Sequence, residues 1–294
     1  TPTLAMLVDR EVKIMNFEKE QYYMAHILMD GIDAMTERID DKARAESIAA
    51  ACESQSGVVR SVIKENKSVA PPKLYDLTTL QRDANRIFGF TAKQTLEYTQ
   101  SLYEKKLVTY PRTDARVLST AVAKEIHKNI RGLSGFANVQ SYAAEVLEGT
   151  AWKKIASTRY VNDKQITDHY AIIPTGQGLL ALRSVSALSV KVYELIARRF
   201  LSIFYPPAIY QKTTLVSKVQ QESFFSSFRL LLSEGYLKVA GMPEENKKKD
   251  DTEDVKCDEN LLQALQKCQK GDILPVKGFS IKEGETSPPK RYTS

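Results

Sequence analysis

The residues best suited to chemistry stand close together in residues 107–119, Leu-Val-Thr-Tyr-Pro-Arg-Thr-Asp-Ala-Arg-Val-Leu-Ser. In an extended backbone alternate side chains share a side, so Tyr110, Arg112 and Asp114 would project together. Pro111 favours an extended Tyr110, because a proline ring disfavours the helical conformation of the residue before it. The sequence therefore predicts a phenol, a guanidinium and a carboxylate side by side.

Such a triplet could carry out nucleophilic attack on a phosphodiester. A free tyrosine side chain has a pKa of about 10 and is a weak nucleophile at neutral pH. Attack would need a neighbouring cation to orient and neutralise the phosphate, and Arg112 is placed for that task. The plain alternative is an ordinary strand entering a turn, with an exposed arginine and aspartate that pair weakly. Residue types alone favour that alternative.

The longer sequence around the triplet resembles the active-site segment of type IA DNA topoisomerases, Tyr-x-Arg-Ser/Thr-Asp. Residues 168–175, Asp-His-Tyr-Ala-Ile-Ile-Pro-Thr, resemble the Asp-His-His-Ala-Ile-Ile-Pro-Thr segment of the topoisomerase III branch, with Tyr170 in place of the second histidine. Further similar segments are Thr1-Pro-Thr-Leu, Ala70-Pro-Pro, Leu80-Gln81, Phe88-Gly89, Leu102-Tyr103-Glu104 and Pro288-Pro-Lys-Arg-Tyr-Thr. Each motif is weak by itself, but together, in the right order, they are specific.

The resemblance implies an α+β fold, in which a mostly antiparallel β arch domain carries an inserted helical, winged-helix-like domain with the active tyrosine, as in the type IA toroid. The resemblance divides the chain into three parts. Residues 1–17 would be the end of a neighbouring helical domain, residues 18–70 and 206–294 the β arch domain, and residues 71–205 the inserted domain. The order of predicted elements, strands before and after a helical block, agrees with such an insertion.

The resemblance also implies the activity. Tyr110 would cleave single-stranded DNA transiently through a 5′-phosphotyrosyl link, and strand passage and religation would follow, giving relaxation or decatenation without nucleotide hydrolysis. In the family, the counterpart of His169 lies near the tyrosine and interacts with the carboxylate that matches Asp114. The implied catalytic residues are Tyr110, Arg112, Asp114 and His169, and the candidate DNA contacts are Gln81, Arg82, Thr113, Arg116 and Thr175.

The magnesium site of this family lies in an acidic Toprim domain with an Asp-x-Asp pair, and no Asp-x-Asp occurs in this sequence. We therefore expect a central fragment with no metal or other cofactor of its own, and Mg²⁺ is implied only for the intact enzyme. The implied partners are single-stranded DNA, the missing Toprim domain of the same polypeptide and a possible helicase, in a bacterial cytoplasm at the nucleoid.

Composition is consistent with a nucleic-acid partner. The 294 residues are 43% hydrophobic, which is enough for two domains with cores, and carry a formal charge of +6. Residues 60–120 hold 11 Lys and Arg against 6 Asp and Glu, so the excess positive charge surrounds Tyr110. The three cysteines have neither zinc-site spacing nor an even number, which favours a reducing compartment, and no apolar run approaches membrane-spanning length.

Hydrophobic periodicity and turn residues predict the elements. Asp76 and Thr91 are candidate N-caps, and Gly89 is a candidate helix end. On the last predicted helix, Arg198 and Arg199 would form a solvated face rather than reach DNA. The predicted helices are 3–17, 41–53, 77–88, 91–104 and 189–204; the predicted strands are 21–29, 57–63, 107–110, 212–219, 224–232 and 274–279; and residues 243–260 are predicted to be a flexible loop.

Two other classes of function stay open at this point. A pair of short helices followed by a strand also suits a winged-helix module that binds duplex DNA without covalent chemistry. A purely structural or partner-binding domain would leave the basic concentration around Tyr110 unexplained.

Overall fold

The computed structural model describes residues 1–241 and 268–292, and it divides them into two compact units. The barrel unit contains Thr1–Asn66, Gln211–Leu230 and residues 268–292. The helical unit contains Lys67–Tyr210 and residues 231–241. The second segment of the helical unit lies inside the range 206–294 that the sequence assigned to the β domain, and Val239 from this segment is fully buried in the helical core.

The barrel unit is a closed barrel of six strands in the order β1-β2-β5-β4-β3-β6. The pairs β1–β2, β1–β6, β2–β5 and β3–β6 are antiparallel, which confirms the predicted α+β class with an antiparallel β domain. The strands are β1 (Gln21–Met29), β2 (Ile32–Met35), β3 (Ser56–Val69), β4 (Ala208–Val219), β5 (Glu222–Ser233) and β6 (Ile273–Glu285). All predicted strands in this unit are confirmed, and several extend beyond the predicted ends.

Alternation along the strands separates the barrel core from its outside. Ala25, Ile27 and Met29 of β1 are buried, whereas His26 and Leu28 between them are partly exposed. Helix α2 (Lys42–Ala51) begins at Asp41, whose carboxylate accepts from the Ala43 amide, and it packs its alanine-rich face on the barrel core. The core of this unit is therefore built without residues of the predicted active site.

Helix α1 (Pro2–Met15) forms close to the predicted range 3–17 and buries none of its residues in the structure. Its apolar side chains Leu4, Leu7 and Val8 are exposed. Glu11 forms a two-bond ion pair with Arg291 near the end of the described residues.

The helical unit carries the segment with Tyr110. Its α-helices are α3 (Leu77–Phe88), α4 (Ala92–Glu104), α5 (Thr120–Gly132), α6 (Gln140–Glu148), α7 (Ala187–Ser202) and α8 (Leu237–Ala240), joined in part by short 3-10 helices. The predicted caps are confirmed: the Asp76 carboxylate accepts from the Thr79 amide, and Gly89 ends α3 with φ of 72°. Thr91 and Gln94 form a capping box at the start of α4.

The predicted solvated role of Arg198 and Arg199 on α7 is wrong. Arg199 donates to Asp83 at 2.7 Å, with only 14% of its side chain exposed, and lies over the Tyr75 ring. Arg198 donates to Glu194 and to the Val239 carbonyl. Both guanidiniums neutralise carboxylates and satisfy backbone groups, because α7 packs its charged side against other elements of the helical unit.

Some predictions concern residues outside the described part of the chain. The loop predicted at 243–260 and Cys257 both lie there, whereas Cys52 and Cys268 are buried free thiols. Within residues 1–241 and 268–292, no helix is both long and apolar enough to cross a membrane.

Candidate active site

Residues 107–117, here called the motif segment, follow α4 after a sharp reversal. Lys106 adopts a left-handed backbone with φ of 59°, and the Leu107 amide donates to the Leu102 carbonyl at 2.9 Å. Leu107 and Val108 are fully buried beneath the helices. This anchoring directs the chain outward at Tyr110.

The predicted β-strand at 107–110 is wrong, because the chain bends at residue 109 and again at 111 and 112. The backbone forms only an isolated antiparallel bridge, between Val108 and Pro174. From residue 110 onward burial alternates with a period of two: the side chains at positions 111, 113, 115 and 117 are buried and those at the even positions between them are not. The outward positions are Tyr110, Arg112, Asp114 and Arg116, and the inward positions are Pro111, Thr113, Ala115 and Val117.

Residues 167–175, here called the histidine segment, run alongside the motif segment. The Thr109 amide donates to the Ile173 carbonyl at 3.0 Å, and the Ala171 amide donates to the Val117 carbonyl at 3.0 Å. On its other side the Ile172 amide donates to the Tyr75 carbonyl at 2.8 Å. The histidine segment is therefore held on both sides.

Two aromatic rings flank the phenol of Tyr110. The imidazole of His169 lies with its centroid 4.3 Å from the Tyr110 ring centroid, at an interplanar angle of 37°. The Tyr103 ring packs edge-on at 5.5 Å and 81°. Tyr110 is half-buried between them, while His169 and Tyr103 are exposed. Tyr103 belongs to the similar segment Leu102-Tyr103-Glu104, but the sequence does not predict this ring contact, because the contact depends on the chain reversal after α4.

The histidine and the carboxylate do not pair in the way the resemblance implied. Asp114 accepts from the Thr167 hydroxyl at 3.5 Å, a long hydrogen bond, and no ion pair joins it to His169 among the described residues. The other part of that expectation, a histidine near the tyrosine, agrees with the contact of the His169 ring with the phenol. Tyr170, in the position of the family's second histidine, packs on the helical core, and burial raises the pKa of its phenol.

Arg112 is exposed and makes no hydrogen bond or ion pair within the part of the chain that the structure describes. It lies two positions from Tyr110 on the outward side of the motif segment. Direct contact between its guanidinium and the phenol stays a prediction.

The candidate DNA contacts fall into two groups. Gln81, Thr113, Arg116 and Thr175 each donate to a backbone carbonyl, of Ala92, His169, Leu74 and Lys106 respectively. Arg82 has an exposed side chain whose Nε lies 3.9 Å from Asp83. Of the five, Arg82 is the one whose guanidinium faces mainly solvent.

The residues that the structure describes do not fit a magnesium site. The sequence contains no Asp-x-Asp, and no group of three or more His, Cys, Asp or Glu among residues 1–241 and 268–292 could hold a metal ion. We therefore assign no chemical step to a metal held by this chain.

Comparison with known proteins agrees with the motif and the fold. A family model described as DNA topoisomerase matches residues 1–294. A solved structure of full-length topoisomerase I from Thermotoga maritima superposes with a TM-score of 0.65 and 24% identity, covering 99% of this chain and 45% of that one, and it shows the shared fold. The chain belongs to the DNA topoisomerase family, of the type IA class.

Among curated relatives, the chain is similar to proteins named DNA topoisomerase 3. It is 37% identical to that of Bacillus licheniformis, over 99% of this chain and 39% of the relative. It is 36% identical to that of Bacillus subtilis, over 99% of this chain and 40% of the relative. The chain thus spans about two fifths of the length of these relatives.

Proposed function

We propose that this chain is the tyrosine-bearing part of a longer type IA DNA topoisomerase, in which Tyr110 cleaves and rejoins single-stranded DNA. The observation that carries the proposal is the tilted contact between the Tyr110 and His169 rings, whose centroids lie 4.3 Å apart, within a Tyr-x-Arg-Thr-Asp motif on an outward-facing segment. Family membership over the whole chain supports it.

The proposed reaction exchanges one phosphodiester for another. The Tyr110 Oη attacks a backbone phosphorus and loses its proton, a phosphorus–oxygen bond forms to the tyrosine, and the bond to the 3′ oxygen breaks. The 3′ oxygen takes up a proton and leaves as a hydroxyl, while the phosphate stays on the 5′ end. Religation is the reverse, so the bond energy is retained and no nucleotide is hydrolysed.

Arg112 would supply positive charge to the reacting phosphate. A guanidinium binds two non-bridging phosphate oxygens through parallel hydrogen bonds, and its charge offsets the charge that builds up during attack. Its side chain is exposed and makes no hydrogen bond or ion pair with the described residues, so it is available to do so. A protonated His169 beside the phenol would add to the same field.

The proposed substrate is single-stranded DNA, as the resemblance to type IA DNA topoisomerases implies. A helicase that supplies single strands is a compatible partner, and the bacterial cytoplasm is the proposed compartment. The winged-helix alternative, a duplex-binding module without covalent chemistry, is disfavoured because a wing needs a strand after the second helix, and residues 107–110 form only an isolated bridge.

The deciding experiment is covalent capture. The intact enzyme is incubated with a single-stranded oligonucleotide labelled, in separate reactions, on either side of the cleavage site, and the products are run on a denaturing gel. We expect only the fragment downstream of the break to remain attached to protein. Tyr110→Phe should abolish the adduct and leave DNA affinity nearly unchanged, because only the hydroxyl is removed.

Tyr98→Phe is the matched control, because Tyr98 packs against Phe90 in the helical unit, away from Tyr110. That variant should form adducts like the wild type. Adducts that persist with Tyr110→Phe, or attachment through a 3′ phosphate, would contradict the proposal. Wild-type protein that binds DNA but never attaches to it would favour the winged-helix alternative.

A further inference from the structure

Threonine hydroxyls of the motif segment join it to the histidine segment. The Thr109 hydroxyl donates to the Ala171 carbonyl at 2.9 Å and accepts from the Ile173 amide at 2.9 Å. The Thr113 hydroxyl donates to the His169 carbonyl at 2.9 Å and accepts from the Ala115 amide at 3.1 Å. Both hydroxyls are therefore used as donor and as acceptor at once.

These contacts determine where the imidazole lies. No hydrogen bond or ion pair holds the His169 ring itself among the described residues, so its place against Tyr110 follows from the ring contact and from the position of its backbone. That backbone is tied at His169 by Thr113 and two residues further on by Thr109. A donor or acceptor left unpaired in a partly buried setting costs free energy, so the hydrogen bonds of the Thr109 and Thr113 hydroxyls resist breaking.

We propose that Thr109, assisted by Thr113, is a positioning residue that holds the His169 imidazole against the Tyr110 phenol; the inference rests on the proposed function of Tyr110. Thr113 consequently serves this role rather than the DNA contact expected from the sequence. Thr109 is the better target for a test, because its hydroxyl forms two bonds to the histidine segment whereas that of Thr113 forms one.

Substitution of Thr109 in the intact enzyme separates positioning from binding. Thr109→Val keeps the shape and removes both hydroxyl bonds, so single-turnover cleavage at saturating oligonucleotide should slow by about tenfold or more, as expected for a misplaced reacting group. The Kd for DNA should stay within about twofold, since no DNA contact is lost. Thr109→Ser keeps the hydroxyl and should restore the rate.

Thr99→Val is the matched control for general loss of stability. Thr99 is a buried threonine of α4 whose hydroxyl donates to the Thr95 carbonyl at 2.7 Å, and among the described residues that hydroxyl makes no hydrogen bond to the motif segment or the histidine segment. We expect this variant to cleave at the wild-type rate. Equal slowing by Thr99→Val and Thr109→Val would overturn the proposal.

A double-mutant cycle tests whether Thr109 acts through the histidine. In a His169→Ala enzyme the imidazole is gone, so adding Thr109→Val should cause little further slowing. If Thr109→Val slows the His169→Ala enzyme as much as the wild type, Thr109 acts by another route and the proposal fails.

A spectroscopic measurement on the 294-residue chain separates this proposal from the proposed function. Nuclear Overhauser contacts between the Tyr110 and His169 rings should be present in the wild type and in Thr109→Ser, and weakened in Thr109→Val. Should the valine variant not fold, Thr113→Val provides the same comparison. If the ring contacts survive in Thr109→Val, the positioning role of Thr109 is overturned. If the wild-type enzyme forms no adduct with DNA, only the assignment of Tyr110 as nucleophile is overturned.

Discussion

At the scale of residues, the site is defined by which side chains point outward. Burial of Pro111, Thr113 and Ala115 leaves Tyr110 and Arg112 on the opposite, outward side of the motif segment. The phenol is held by ring contacts and the guanidinium is exposed, so the proposed nucleophile is ordered while the guanidinium is free to follow a phosphate. This arrangement suits the proposed function, in which the site engages and releases a DNA backbone.

We expect Arg112→Ala in the intact enzyme to reduce oligonucleotide cleavage by about a hundredfold or more, because a charge-assisted contact to the reacting phosphate is lost. The fold should be unaffected, since the Arg112 side chain is exposed. Single-turnover cleavage and circular dichroism would measure the two effects. Arg183→Ala, which removes an exposed arginine elsewhere in the helical unit, should cleave normally. Normal cleavage by Arg112→Ala would remove Arg112 from the catalytic set.

At the scale of elements, the histidine segment ends against α5. Gly132, the last residue of α5, lies very close to Gly176, the residue that follows the histidine segment. A Cβ at position 132 would lie 1.9 Å from the Gly176 carbonyl oxygen. The Asn129 side chain donates to the Pro174 carbonyl at 2.9 Å in the same place. Helix α5 thus fixes the far end of the segment that presents His169.

Gly132→Ala should therefore destabilise the helical unit by about 2 kcal/mol or more, because the new methyl group collides with backbone atoms that cannot rotate away. Denaturant unfolding of the chain would measure this change in free energy. The matched control is Gly278→Ala in β6, where an added Cβ meets nothing within 4 Å. A shift within about 0.5 kcal/mol is expected for the control. Equal stability of both variants would contradict the close packing at Gly132.

At the scale of the whole molecule, the chain contains two units with separate cores, and the helical unit alone carries every predicted site residue. The chain also corresponds to about two fifths of its curated relatives. The parts of the proposed reaction that this chain supplies are the nucleophile, the arginine and the surface that meets the DNA.

We expect the 294-residue chain alone to bind single-stranded DNA weakly and in a salt-dependent manner, and not to relax supercoiled DNA in the presence of magnesium. The affinity should fall as salt rises, and Arg82→Ala should reduce the slope of log affinity against log salt by about 0.7 if that guanidinium meets a phosphate. Fluorescence anisotropy and a plasmid relaxation assay would measure the two properties. Robust relaxation by the isolated chain, or an affinity insensitive to salt, would contradict these expectations.

The sequence by itself determined the class of protein, most of the helices and strands, and the shared outward side of Tyr110, Arg112 and Asp114. These depend on local signals: caps at Asp76 and Thr91, strict alternation around Pro111, and motif residues at characteristic spacing. Local signals act over a few residues, so they could be interpreted without knowing the fold.

Only the tertiary structure decided which distant residues meet. The bond of the Thr113 hydroxyl to the His169 carbonyl, the pairing of Arg199 with Asp83, and the closure of the sheet into a barrel all join residues far apart in sequence. Such contacts depend on how the whole chain packs, because burial and hydrogen-bond satisfaction are settled jointly by all neighbours. For that reason the ties made by Thr109 became visible only once the motif segment and the histidine segment lay side by side.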